Sequence, residues 1–529
     1  MKKKPSSSLQ RRQNKNPLSV LTEARWNVFD DFSAFRTYFN LLMMAVGVLS
    51  LQLVFIGEYS RAGAFSLCSA ASLAPLGAWC YGKARGLPIF PVYALTYFAT
   101  FAIQIYLQDE LRDARNFFPP DPSNHWWAAW AVALALIPGM MVWLNMNKKG
   151  QQPPEQCHVI NRSFANYLML FMFIASSLLI AALATEKFSF LGRIGSILNA
   201  AARTGSVVSL FILSFQFGMG RLSGRVAVLV GIFLSLNIIA SMASLFLGGA
   251  ISVMAVAVAG YSLGKRRIPW LLAVVLFPLL SVLHAGKGDM RVKYWGEARA
   301  VKTVGFLEYP AFFMEWFEMG YEDLTRKKPS GVAISETEEN LLERSSLIEI
   351  FLTAHKLAPE TVPYLHGETY QSIPLLLIPR FLYPDKPVAH EGQRLLNVHY
   401  RVQSTEAVVQ TYIAWGLMNE AFANFGYWGL PVFGIIIGLF FGGIARFCSS
   451  VPLLSFRGLL GALTIGFSIQ AEMAAGVWVT SFSQSIILLV LLRWVVMKPE
   501  LNPMYADTPA SSNSSNKSRS RYSVRKFSP

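Results

Sequence analysis

Apolar residues in this chain come in long blocks, each separated from the next by a short polar segment. The blocks run to about 17–22 residues, and a helix of that length crosses the hydrocarbon core of a bilayer. The stretch from Val226 to Leu263 is too long for one crossing, so we divide it at Gly248-Gly249. The pattern predicts about twelve transmembrane helices: near 37–56, 63–81, 88–107, 126–144, 164–184, 204–219, the two halves of 226–263, 268–284, 428–445, 457–475 and 478–496.

The composition agrees with a membrane protein whose main partner is the lipid bilayer. Hydrophobic residues make up 53% of the chain and charged residues 15%, and the mean hydropathy is +0.38. A soluble globular domain carries about 25% charged residues. The net charge of +16 lies mostly in the two tails and in loops of one side, so we expect no nucleic-acid partner.

The distribution of Lys and Arg gives an orientation. Both tails are basic, which predicts that both termini are cytoplasmic and that the number of spans is even. Alternate loops carry the remaining basic clusters, at Lys83/Arg85, Lys148/Lys149/Arg162, Arg221/Arg225, Lys265/Arg266/Arg267 and Arg446/Arg457. One loop on the opposite side breaks the rule, with Lys187, Arg193 and Arg203.

These patterns divide the chain into five parts. Residues 1–36 form a basic cytoplasmic tail without a cleavable signal peptide, and the first span is expected to act as an uncleaved signal anchor. A bundle of about nine spans (37–284) precedes a large extracytoplasmic loop (285–427) with helix-like stretches near 306–328 and 338–357. The last three spans (428–497) and a disordered cytoplasmic tail (498–529) follow, so the expected fold is all-α and polytopic.

Histidine and cysteine give little sign of a metal or disulfide site. Five of the seven histidines lie between residues 284 and 399, and each is best interpreted as a surface or packing residue. No His/Cys spacing typical of a metal site occurs, so no metal or other cofactor is expected. None of the four cysteines lies in the 285–427 loop, which excludes a disulfide there.

Two basic clusters in the loop are candidate anion sites. The first has Arg291 at the end of a span, where an interfacial anchor is the alternative interpretation. The second places Arg380 and Lys386 among four prolines, which fix a rigid turn suited to holding an anion. Its alternative is a structural turn in which Arg380 pairs with Asp385.

Glu420 is a third candidate functional residue, and it lies beside Asn419 and Asn424 and close to the next predicted span. Ionisable groups at this depth are costly and often functional. The alternative is a helix-end carboxylate in contact with lipid headgroups.

Three motifs in this region occur in a fixed order: Gly-Glu-x-Tyr (367–370), Ile-Pro-Arg-x-x-x-Pro-Asp-Lys-Pro (378–387) and Asn-Glu-x-x-x-Asn-Phe-Gly-x-x-Gly (419–429). Together with about twelve spans and one long late loop, they resemble the bacterial oligosaccharide repeat-unit polymerases, the Wzy-type O-antigen and exopolysaccharide polymerases. The motifs cover roughly 60 residues, and the architecture covers most of the chain. The tail 1–36 and the acidic segment near 308–323 have no counterpart in that pattern.

The resemblance implies a GT-C-like, metal-independent glycosyltransferase in the bacterial inner membrane. Such enzymes transfer a growing glycan from polyprenyl pyrophosphate to a sugar hydroxyl of the next carrier-linked repeat unit. Cations would stabilise the departing pyrophosphate, and the matching candidates are Arg291, Arg380, Lys386 and Arg394. A base would deprotonate the acceptor hydroxyl, with Glu420, Glu368 and His399 as unranked candidates. A chain-length regulator and a flippase are candidate protein partners.

Two other functions stay open on sequence alone. An O-antigen ligase of the same fold would pass the glycan to lipid A or to a protein. A polysaccharide or lipid-carrier transporter would be expected to show internal repeats and interrupted helices, and no clear repeat is present. The sugars, the linkage and the chain length cannot be read from the residues.

Overall fold

The computed structural model describes residues 33–149, 152–161, 165–183, 192–243, 245, 247–295, 308–325, 346–378, 382–383, 385–409 and 412–502. Most of the two predicted tails, residues 1–32 and 503–529, lies outside these ranges, as do 326–345 and Arg380. The described helices are α1 (Ser33–Phe55), α2 (Tyr59–Cys80), α3 (Ile89–Leu107, with a π-turn), α4 (Asn124–Asn147), α5 (Ala165–Leu183), α6 (Gly192–Gly218), α7 (Gly224–Ala243), α8 (Leu247–Lys265), α9 (Trp270–Ala285), α10 (Lys287–Trp295), α11 (Tyr309–Thr325), α12 (Leu347–Leu357), α13 (Ile373–Leu377), α14 (Glu391–His399), α15 (Leu417–Phe447), α16 (Phe456–Ser468) and α17 (Ala475–Val496).

The chain is a mostly helical, multi-pass membrane protein. Within the described ranges, ten helices are long and apolar enough to cross a bilayer: α1 to α8, α15 and α17. The helices α9 and α16 are shorter and also apolar, and they lie where two further spans are predicted. The coarse prediction of an all-α polytopic fold is therefore confirmed.

Boundaries differ from the predicted ones at three places, and the first two are the α7–α8 turn and the C-terminal tail. The long apolar stretch divides between α7 and α8 around Leu245, and Gly248-Gly249 lies inside α8. Leu245 has a φ of 57°, and its carbonyl accepts a hydrogen bond from Arg291 (2.6 Å), so a distant side chain stabilises this turn. The second difference is β2 (Met497–Leu501), a strand within the predicted disordered tail, which forms because it pairs antiparallel with β1 (Gln156–Ile160).

Helix α15 begins at Leu417, well before the predicted span 428–445, so Glu420 lies on a helix and not in a loop. Gly426 interrupts this helix with a φ of 62° and a ψ of −151°. A Cβ at this position would lie 2.8 Å from the ring of Tyr364. Glycine therefore permits both the left-handed conformation and the close packing of the loop against the helix.

Contacts between loops define two opposite faces of the bundle. At one face, β1 and β2 pair, Ile160 donates a backbone hydrogen bond to Leu454 (3.1 Å), and Asn502 donates one to Glu155 (2.8 Å). We call this the sheet face, and it contains the described residues of 148–161, 448–455 and 497–502. The described residues of 108–123, 346–416 and 469–474 meet at the other end, which we call the loop face.

Helix α15 is held against α4 by backbone contact. A Cβ on Gly434 would lie 1.9 Å from the carbonyl oxygen of Ala135, and one on Gly438 would lie 2.3 Å from that of Gly139. Small residues allow membrane helices to approach this closely, and the resulting van der Waals contact replaces the hydrophobic drive available in water. This packing fixes the position of α15, which carries Glu420 and Asn424.

The buried apolar residues form two separate clusters. The main one joins α1 to α6, α12 and α14 to α17 with parts of α7 and α8. The second is small and lies among the α7–α8 turn, α9, α10 and α11; its members are Leu245, Leu247, Leu283, Met290, Phe312 and Trp316.

Candidate functional site

Helix α12 forms the base of the candidate site on the loop face. Ser346 caps it in a capping box with Glu349, which satisfies the first amide groups of the helix. Thr353 then accepts a hydrogen bond from the backbone of Ala114 (2.8 Å). An ion pair between Lys356 and Asp121 (3.2 Å) lies one turn further along. These contacts attach the middle of the large loop to the loop between α3 and α4.

The polar centre of the site is Asn424, which is fully buried on the first half of α15. Its Oδ1 accepts from the backbone N–H of Gly367 (2.9 Å), and its Nδ2 donates to Thr369 Oγ1 (2.9 Å) and to the carbonyl of Glu420 (2.8 Å). The backbone N–H of His366 donates to the Asn424 carbonyl (2.9 Å). One asparagine thus connects the Gly-Glu-x-Tyr motif to the helix. We call Gly367, Thr369, Glu420 and Asn424 the Asn424 cluster.

Glu420 is also fully buried and joins the cluster to a third element. Its Oε2 accepts from the backbone N–H of Ala475 (2.6 Å), the first residue of α17. A carboxylate at a helix N-terminus satisfies an amide with no partner inside the helix and interacts favourably with the helix dipole. The 3₁₀ turn Glu368–Tyr370 lies on the other side of the cluster. Burial and the nearby Glu420 carboxylate raise the pKa of Tyr370 above its ordinary value.

The other two candidate bases are accessible from the surface. Glu368 is exposed, and His399 is half-buried at the end of α14. The Nε2 of His399 lies 2.8 Å from the carbonyl oxygen of Pro363. A carbonyl can only accept, so Nε2 carries the proton and Nδ1 of the neutral ring has the lone pair. The adjacent Tyr400 donates to the carbonyl of Ala423 (2.8 Å), which holds this end of α14 against α15.

The predicted cations lie in different surroundings. Arg394 lies on α14 and forms an ion pair with Glu391 (3.3 Å). Two residues before it, Gly392 packs so closely on the Gly-Glu-x-Tyr turn that an added Cβ would lie 2.9 Å from the Thr369 carbonyl oxygen. Lys386 donates to the carbonyls of Leu376 (2.9 Å) and Ile378 (2.8 Å), so its ammonium closes the proline-rich turn.

Arg291 is not brought together with the other cations. Its side chain is buried, and its guanidinium donates to the carbonyl of Leu245 in the second apolar cluster. This differs from the interfacial anchor considered from sequence, in which the charged group would extend toward water. Its neighbour Lys293 pairs with Glu315 of α11. Arg380, the arginine of the proline-rich motif, lies outside the described residues.

His355 also belongs to the site, although the sequence predicts only a surface or packing residue at this position. Four aromatic rings surround its imidazole: Trp127, Phe351, Phe422 and Tyr427, the first at a centroid distance of 4.9 Å. Its Nδ1 lies 3.2 Å from the Tyr427 hydroxyl. Burial, and secondarily the charge of Lys356, lower the pKa of His355 to about 4, so the ring is neutral at pH 7.

Thr369 was missed entirely, because a single threonine at the variable position of a loop motif carries no pattern. No group of three or more His, Cys, Asp or Glu side chains that could hold a metal ion occurs in the described part of the chain. The arrangement instead offers a rigid polar cluster under a surface that carries an imidazole, a carboxylate and a guanidinium.

Comparison with known proteins gives a family but no activity. No curated protein matches the chain, and no solved structure does so either. One family model matches residues 129–470, which includes α15, the Asn424 cluster, Arg394 and His399 but not Ala475. The matched range is well over half of the chain, and the protein therefore belongs to the family described as Domain of unknown function (DUF8712).

Proposed function

We propose that this protein is a membrane glycosyltransferase with a GT-C-like fold. It polymerises oligosaccharide repeat units linked to polyprenyl pyrophosphate, forming O-antigen or exopolysaccharide at the outer face of the bacterial inner membrane. In this proposal the loop face is extracytoplasmic, and both termini are cytoplasmic.

The observation that carries the proposal is the meeting of two of the three motifs. Gly367 and Thr369 belong to the first motif, and Asn424 belongs to the third, more than 50 positions away; they are joined by hydrogen bonds of 2.9 Å. The second motif leads into α14, which packs on the same turn through Gly392. Residues that carry the resemblance to repeat-unit polymerases therefore support one another in a single buried cluster, as a shared site requires.

Among the three candidate bases, we assign proton abstraction to His399. Its Nε2–H bond to Pro363 fixes the tautomer, and Nδ1 remains as an acceptor on a half-buried ring. Glu368 is the second candidate on the surface. Glu420 is fully buried and already caps α17, so we assign it a positioning role that holds Thr369 and the Gly-Glu-x-Tyr turn in place.

We assign the pyrophosphate to Arg394 and to Arg380, whose guanidinium groups can form paired hydrogen bonds with phosphate oxygens. Lys386 shapes the turn between them by binding two carbonyl groups. Arg291 is assigned to the turn between α7 and α8. In the reaction, the acceptor hydroxyl oxygen bonds to the anomeric carbon of the donor and gives its proton to His399. The bond from that carbon to the pyrophosphate breaks, and polyprenyl pyrophosphate leaves with the electron pair.

The proposal is tested by the lipid-linked glycan of a deletion strain. We expect single repeat units in the deletion strain and a ladder of longer glycans when the wild-type gene is restored. The His399→Gln variant should fail to restore the ladder, because general-base catalysis contributes on the order of 10²–10⁴ in rate. The control His284→Gln changes an exposed histidine at the end of α9 and should restore it fully. Long chains not attached to their final acceptor would indicate a ligase, and unchanged glycan would refute both enzymes.

A further inference from the structure

The sheet face carries arginines that are held against aromatic rings. Arg493, near the end of α17, lies over the ring of Phe456 at 5.5 Å and donates to Nε2 of His158 on β1 (3.3 Å). Burial and the positive charge of Arg493 lower the pKa of His158, which favours the neutral ring that can accept this bond. The side chain of Arg493 is thus fixed by the sheet on one side and by α16 on the other.

A second arginine is fixed in the same way on the adjoining turn. Arg457, in the first turn of α16, lies over the ring of Phe447 with its guanidinium carbon 4.2 Å from the ring centre. Arg446, the residue before Phe447, donates to the carbonyl of Met146 (3.4 Å). Bridging between Val159 and Ser455 brings β1 beside this turn. We call Arg446, Arg457 and Arg493 the arginine surface.

Within the described part of the chain, none of the three arginines forms an ion pair. No Asp or Glu there lies within 4.0 Å of any of the three guanidinium groups. Stacking on a ring uses the face of a guanidinium and leaves its edge N–H groups for hydrogen bonds, in the fork geometry that matches a phosphate.

Apolar side chains at the same level are directed away from the protein. Trp494 is 81% exposed and Val495 82% exposed, directly after Arg493 in sequence, and Phe447 is 40% exposed. Exposed Trp at the end of a transmembrane helix is typical of the membrane–water interface. The arginine surface therefore lies at the depth of the phospholipid headgroups, with an apolar surface for acyl chains beside it.

We propose that the arginine surface binds the phosphate headgroup of an anionic phospholipid in the leaflet at the sheet face. Positive residues that only orient a membrane protein need no fixed pose, whereas these are held by rings, a strand and a carbonyl. The headgroup of one bound lipid would contact arginines of both α16 and α17, next to the β1–β2 sheet. The inference is independent of the proposed glycosyltransferase activity, because it concerns the opposite face and is measured without glycan.

The test uses the full-length protein in a neutral detergent, titrated with phosphatidylglycerol, phosphatidylcholine or inorganic phosphate. A ligand that binds only the folded protein raises its melting temperature with concentration. We expect phosphatidylglycerol to raise the melting temperature and phosphatidylcholine to leave it unchanged. In Arg457→Gln/Arg493→Gln, half-saturation should require at least about tenfold more phosphatidylglycerol, the loss of about 1.4 kcal/mol of binding.

The matched control is Arg225→Gln/Arg267→Gln, which removes the same charge from two exposed positions, one in the first turn of α7 and one in the loop before α9. It should keep the wild-type response. An equal loss in both double variants would refute a specific site in favour of general attraction to the basic face. An equal response to phosphate alone would refute the lipid assignment. If the double Gln variant does not fold, lipid adducts counted by native mass spectrometry on each single variant give the same comparison.

Discussion

Removing the side chain of Asn424 tests whether the Asn424 cluster holds the loop on the helix. Asn424→Ala eliminates three side-chain hydrogen bonds, to Gly367, Thr369 and Glu420, at a position with no solvent exposure. Only the bonds to Gly367 and Thr369 join the loop to the helix, since the bond to Glu420 lies within α15. A buried hydrogen bond contributes about 1 kcal/mol net, so opening of the loop becomes easier by about 2 kcal/mol. Since about 1.4 kcal/mol is a factor of ten, the turn around Gly367 should open about 30-fold more often.

Hydrogen–deuterium exchange of the purified protein measures this opening directly in peptides that cover residues 365–370. The control is Asn419→Ala, which removes an asparagine of the same helix that is equally buried and donates to the carbonyl of Leu347 (2.7 Å). It should leave exchange at 365–370 unchanged and accelerate exchange near the start of α12. Wild-type exchange at 365–370 in Asn424→Ala would refute the reasoning, because the two bonds between the loop and the helix would then contribute nothing.

Four further predictions follow from particular residues. Glu420→Gln keeps an acceptor for Ala475 and should retain most glycan polymerisation, whereas Glu420→Ala should lower the melting temperature; a stable but inactive Gln variant would make Glu420 the base. The folded pKa of His355 is about 4, below the ordinary 6.5, so the stability it contributes is complete above pH 6.5 and is lost as the pH falls toward 4. The melting temperature of His355→Phe should therefore depend less on pH in that range than that of the wild type, and equal slopes would contradict this. Arg380→Ala should abolish polymerisation at normal protein levels, and Arg380→Lys should restore little of it, because lysine cannot form paired bonds with phosphate; full activity of the Ala variant would exclude the phosphate role. Ser330→Cys should react with an impermeant thiol reagent in intact spheroplasts, and the background should be low because the four native cysteines are buried. Labelling only after lysis would show that the predicted topology is inverted.

The architecture could be read from sequence because a bilayer imposes a length and a composition on every helix that crosses it. Ten described helices meet those criteria, and two shorter apolar helices coincide with the remaining predicted spans. The errors occurred where composition is uninformative. The first half of α15 is too polar to be read as a span, and β2 forms only because β1, more than 300 positions earlier, pairs with it.

The sequence by itself also determined which residues were worth considering, since Glu420, His399 and the cations were identified by type and motif. Tertiary structure decided how they are arranged. It buried Glu420 against Ala475, attached Arg291 to Leu245 in a separate cluster, and placed Thr369 at the centre of the site. The length and hydrophobicity of a block predict whether that segment crosses the bilayer, because the contact of a helix with lipid does not depend on distant residues. Hydrogen bonds between Gly367 and Asn424, or between Arg493 and His158, depend on two segments meeting at distances near 3 Å, and only the packed bundle sets those distances.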